Sequence, residues 1–121
     1  MLQVFVCAAI SATFPAKARS ADAMITGAGA FSCGDYLKHR EDHASAQIAI
    51  DITWVFGFMS GYNVEVSDKP TPAQVTPPTA ATTTAFLDKF CRDNPLLTIT
   101  HAAMVLVDKL GGERVKFRYE K

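Results

Sequence analysis

A chain of 121 residues that is 49% hydrophobic and 20% charged has the size and apolar content of one domain with a modest core. Twelve basic residues balance twelve acidic ones, so the formal net charge is zero. That balance gives no electrostatic argument for nucleic acid or for an anionic membrane surface as a partner.

Residues 1–23 read as a signal peptide: an apolar run from Leu2 to Phe14, then Pro15, then small residues at Ala16, Ala18, Ala21 and Ala23. No Lys or Arg precedes the run, which departs from that pattern. Cleavage fits after Ala18 or after Ala23, and the second site lies nearer the folded region. The run is shorter than the ~20 residues a bilayer crossing needs, so no stable membrane anchor is expected. The expected location is periplasmic or secreted. Removing Lys17, Arg19 and Asp22 with the leader leaves about one negative charge on residues 24–121.

Cys7 would leave with the leader. In an oxidising compartment Cys33 and Cys91 then have only each other, and a bridge across that loop would restrict the unfolded chain by about 4 kcal/mol in the entropy model. A metal pair or a reactive thiol is the competing reading, but neither cysteine has a CxxC partner or a clustered His.

Met24 to Phe31 has two glycines and no helical period, which predicts an extended lead-in with Phe31 capping an apolar surface. Ser32 can cap a short helix from Cys33 to about Arg40, in which Tyr36 and Leu37 supply the apolar contacts. The run HREDHASA reads as a solvated turn, with Ser45 as the N-cap of the second helix.

Gln47 to Asn63, QIAIDITWVFGFMSGYN, is the stretch around which the chain should be organised. At 3.6 residues per turn Ile48, Ile52, Val55, Met59 and Tyr62 share one stripe, and few polar residues interrupt the rest. A helix this apolar should be covered on most sides. Gly57 and Gly61 lie one turn apart near Ile50 and Trp54, and two helical glycines suggest that another backbone comes close there. Asn63 is expected as a left-handed C-terminal cap.

Val64 to Thr79 holds Pro70, Pro72, Pro77 and Pro78 among polar residues and reads as an extended surface loop. A third helix is expected from the cluster Thr82–Thr84 to about Asp93, burying Phe86, Leu87, Phe90 and Cys91 while Asp88, Lys89 and Arg92 face water. Asn94-Pro95 ends it. A fourth should start near Thr98 or Thr100, carry Ile99, Ala102, Ala103, Leu106 and Leu110 on one stripe, and stop at Gly111-Gly112. The two alanines would admit a close neighbour, such as the Gly57 and Gly61 face. Residues 113–121 alternate Val115, Phe117 and Tyr119 with charges, as in a short strand or an extended tail. Such a segment can pair with another chain, which leaves a homodimer open.

Chemistry-bearing patterns are weak. His39 and His43 are four apart, but HREDH lacks the glutamate position of the HExxH zinc pattern and has no third ligand, so no metal is expected. His101 falls on the polar side of the fourth helix with Asp108. There is no G-x-S-x-G elbow, and Gly27-Ala28-Gly29 has neither the third glycine nor the Lys-Ser/Thr of a phosphate cradle. The expectation is binding without catalysis and without a cofactor.

The order of motifs resembles the periplasmic immunity proteins that neutralise type VI secretion amidase effectors, the Tai/Rap immunity domain. The matching parts are Ser32-Cys33-Gly34-Asp35-Tyr36-Leu37, the run from Trp54 to Asn63, Phe86-Leu87-Asp88-Lys89-Phe90-Cys91, Asn94-Pro95-Leu96, and Ala102-Ala103, spanning roughly residues 29–110. The resemblance implies an all-α domain of four or five helices, a Cys33–Cys91 disulfide, and a protein partner such as a cell-wall amidase, at contacts not assigned by any motif. The same features are more loosely similar to HdeA-like acid-stress chaperones. The structural core implied comprises Trp54, Gly57, Gly61, Asn63, Phe86, Leu87, Phe90, Pro95, Ala102, Ala103 and Leu106.

Overall fold

The computed structural model describes residues 24–113, so the leader reading of residues 1–23 and all of the 113–121 segment beyond Glu113 lie outside the described residues. Among the described residues a 3-10 turn, Gly27–Ala30, precedes four helices: α1 Cys33–Glu41, α2 Ser45–Ser67, α3 Ala80–Asp93 and α4 Ile99–Lys109. The domain is all-α and disulfide-clipped, with α2 packing against the 3-10 turn and against each of the other helices.

Helix starts follow the capping chemistry of the sequence. Ser32 accepts from the Asp35 backbone N–H and Asp35 reaches back to the Ser32 N–H, a complete capping box. Thr79 caps α3, which starts two residues before the expected threonine cluster, and Thr98 caps α4 in a box closed by the His101 ring. Only α2 starts without a side-chain cap, after Ala44, so Ser45 is its first residue and not its cap. The turn before it places His43 at φ 52, a conformation uncommon for a residue with a Cβ.

The core lies between the inner stripe of α2, where Ile52, Val55 and Met59 are buried and Ile48 and Tyr62 pack alongside, and the buried faces of the other helices. Leu87 and Cys91 of α3 and Ala102, Ala103 and Leu106 of α4 are buried as expected; Phe86 and Phe90 are half-buried and stack on each other. Cys33 and Cys91, both fully buried, are bridged with their Cα atoms 4.7 Å apart, within the ordinary range for a disulfide. The bond joins the start of α1 to the end of α3. A short backbone seam runs beside it: the Cys33 N–H donates to Leu97 O at 2.7 Å, the Ile99 N–H to Phe31 O at 3.1 Å, and the Gly34 N–H to Pro95 O at 3.2 Å. Pro95 itself is exposed and contributes that carbonyl, not core volume.

The lead-in is not extended. Its 3-10 turn lies flat on Trp54, whose indole N–H donates to Thr26 O at 3.0 Å, and a Cβ on Gly29 would fall 2.0 Å from the Trp54 ring. Glycine is required there because indole and backbone share the space. Phe31 does not cap an apolar surface; it is exposed and meets the His39 ring edge to face.

Candidate interaction surface

α2 is 23 residues long and runs four residues beyond the expected end. Its inner stripe is buried, but the opposite stripe is not covered by any described element. Ile50, Thr53, Gly57, Ser60, Gly61 and Val64 follow the 3.6-residue period along that side, and all are exposed, Ile50 at 54% and Val64 at 72%. Among the described residues, nothing beyond the adjoining helix backbone lies within 4 Å of where a Cβ on Gly57 or Gly61 would be. The two glycines are therefore outside the core, and Ala102 and Ala103 do not pack on them. The stripe carries no charged residue, and the Ser60 hydroxyl is satisfied within the helix by donating to Phe56 O at 2.9 Å. What faces solvent is an uncharged stripe of small and apolar residues with two glycine notches.

Beside it the Pro-rich connection is strapped down. Tyr62 Oη donates to Ala73 O at 2.9 Å, and Asn63 grips Val75 twice: its Nδ2 donates to Val75 O at 2.9 Å and its Oδ1 accepts from the Val75 N–H at 2.9 Å. Asn63 is thus mid-helix and gives the loop the hydrogen bonds a β partner would give, in place of capping α2. Val75 is buried against the core, so the irregular segment, residues 68–79, is fixed at its centre while Pro70, Thr71 and Pro72 stay exposed. Prolines on either side of one anchored residue leave little conformational freedom to lose on binding.

Between α2 and the chain after α4 lies a groove of about 440 Å³, lined by Phe58, Gly61, Tyr62, Glu65, Val66, Lys69 and Glu113. Phe58 stacks on Trp54 with ring centroids 5.7 Å apart. At the other end the Glu113 N–H donates to Tyr62 Oη at 2.6 Å and the Glu113 carboxylate pairs with the Lys69 ammonium, whose proton affinity is raised chiefly by that hydrogen bond. Tyr62 therefore ties α2, the Pro-rich loop and the chain after α4 together with one hydroxyl.

Two polar clusters fix α1 on its neighbours. Asp88, expected in water, accepts from Tyr36 Oη at 2.8 Å and from Arg40 Nε and Nη2 at 2.9 and 3.0 Å. Burial pushes its carboxyl up, but the hydrogen bonds from Arg40 and Tyr36 outweigh that and hold it below the usual carboxylate range. The Tyr36 phenol is pushed well above its usual value, first by burial and then by donating to Asp88. Asp51, fully buried, has Gln47 Nε2 3.0 Å from one oxygen and His39 Nδ1 2.8 Å from the other. His39 is therefore a clasp between α1 and α2, while His43 lies in the exposed turn between them. Among the described residues no group of three His, Cys, Asp or Glu side chains could hold a metal ion, and no helix is long and apolar enough to cross a membrane.

No protein-family model matches the chain, and no curated protein or solved structure matches it either. The surface rests on its own geometry.

Proposed function

We propose that this chain is an exported binding protein whose partner is a secreted cell-wall amidase, inhibited by occlusion of its active-site cleft. The observation that carries the reading is the uncharged, uncovered stripe of α2 beside a pre-fixed Pro-rich loop. The uncharged stripe notched at Gly57 admits a partner backbone, and the exposed Pro70–Pro72 segment offers rigid edges past the end of α2. The class of partner comes from the motif resemblance. Gly57→Arg and Val64→Asp would place charge on the stripe without touching the core. Co-purification with a secreted cell-wall amidase, lost with either substitution, supports the proposal; absence of a complex with any such amidase, with unprotected cells, removes it.

A second reading, an acid-stress chaperone, draws on Asp88 of α3, whose carboxylate is held ionised by Arg40 and Tyr36 of α1. Its protonation is a point at which acid could loosen α1 from α3 and uncover apolar surface. Light scattering of an aggregating client at low pH separates the two: suppression favours the chaperone, and indifference favours the inhibitor.

A further inference from the structure

The groove under Phe58, Tyr62 and Val66 sits where the described chain leaves α4. Glu113 is fixed at its lip by Tyr62 and Lys69, and the next eight residues are RVKFRYEK. We propose that this groove is the docking site for the chain's own segment 114–121, with Val115 and Phe117 as the apolar anchors.

Three observations carry it. The first is reach: the lining residues from Phe58 to Lys69 extend about 16 Å along α2 at a helical rise of 1.5 Å. In an extended segment Phe117 lies about 13 Å beyond Glu113, within the groove, and Val115, Phe117 and Tyr119 fall on one side. The second is charge. Glu65 lines the groove and is exposed, the C-terminal end of α2 adds its own negative potential, and Lys69 is already paired with Glu113. The segment brings four basic residues against one acidic residue, each basic residue next to an apolar one or at the end of the run. The third is the floor: Gly61 leaves open space where any other residue would put a side chain, beside the apolar faces of Phe58 and Val66. The inference does not depend on the identity of any partner.

The test uses the full chain at low micromolar concentration. Nuclear Overhauser contacts from the Phe117 ring to the Gly61 Hα protons and the Phe58 ring are expected, with the Val115 methyls nearer Glu65. Tryptic cleavage after Lys116 and Arg118, followed bond by bond by mass spectrometry, should speed up several-fold in Gly61→Leu, which fills the groove from an open helical position, and in Phe117→Ser. Equal cleavage rates in all three proteins, with no contacts to the groove, overturn the proposal. Contacts that vanish on dilution also overturn it, because the segment would then be held by a second copy.

Discussion

Asn63 on α2 holds both backbone groups of Val75 in the Pro-rich loop, at 2.9 Å each, so one side chain decides whether twelve irregular residues are part of the folded body. Asn63→Ala should cost about 1–3 kcal/mol, because a half-buried backbone donor and acceptor lose their partners together. Asn63→Asp should cost a comparable amount, since a carboxylate can accept from the Val75 N–H but cannot donate to its carbonyl. Urea unfolding gives the energy. Limited proteolysis locates it, with new cuts expected between Asp68 and Thr79.

The glycines separate by position, not by sequence context. Gly29→Ala should destabilise by about 1–3 kcal/mol, because the added Cβ meets a Trp54 ring that is also held by Thr26 and Phe58. Gly57→Ala, on the open stripe and outside the groove, should raise stability by up to about 1 kcal/mol through helix propensity alone. Thermal unfolding midpoints of the two variants check the contrast; a loss at Gly57 would mean that something covers the stripe.

Both cysteines are fully buried and their bridge closes a sequence separation of 58 residues. Replacing the pair by alanine should remove about 4 kcal/mol in the chain-entropy model. The same difference should appear between oxidised and reduced wild-type protein in urea, with reductant acting only once denaturant has opened the core.

Acid and alkali should act through one cluster. Asp88 is held below the ordinary aspartate value, so its share of stability is present above about pH 4 and is lost as pH falls through the lower folded value. Tyr36 is held above the ordinary phenol value, so its contribution is complete below about pH 10 and is lost as pH rises beyond that. Asp88→Asn should flatten the acid limb of a stability-against-pH curve, and Tyr36→Phe the alkaline limb. If both limbs keep their wild-type slopes, the cluster is not what sets them.

Local chemistry is legible in the sequence and partner choice is not. Ser32 and Thr98 cap the helix starts that their side chains favour, Gly111 adopts φ 87 just after α4, and the inner stripe Ile52, Val55 and Met59 is buried as its period requires. The two glycines of α2 mislead because a helical glycine signals either a close neighbour or an open face, and only the tertiary packing decides. Asn63 misleads for a similar reason: its chemistry suits a helix end, but here it serves a loop twelve residues away. Asp51 reads as a polar interruption of an apolar helix until His39 and Gln47 are placed beside it. The strapped loop carries one signal in the sequence, an apolar Val75 amid prolines and polar residues, which is the pattern of an anchored rather than a free connection.

The most direct measurement is a titration of a purified secreted cell-wall amidase, of the class proposed as the partner, with the protein, following release of peptide stems from cell-wall fragments. Turnover should fall to near zero at one equivalent and recover at least tenfold with Gly57→Arg, whose unfolding midpoint should match or exceed the wild type. Undiminished turnover at a large excess of the wild-type protein would contradict the assignment.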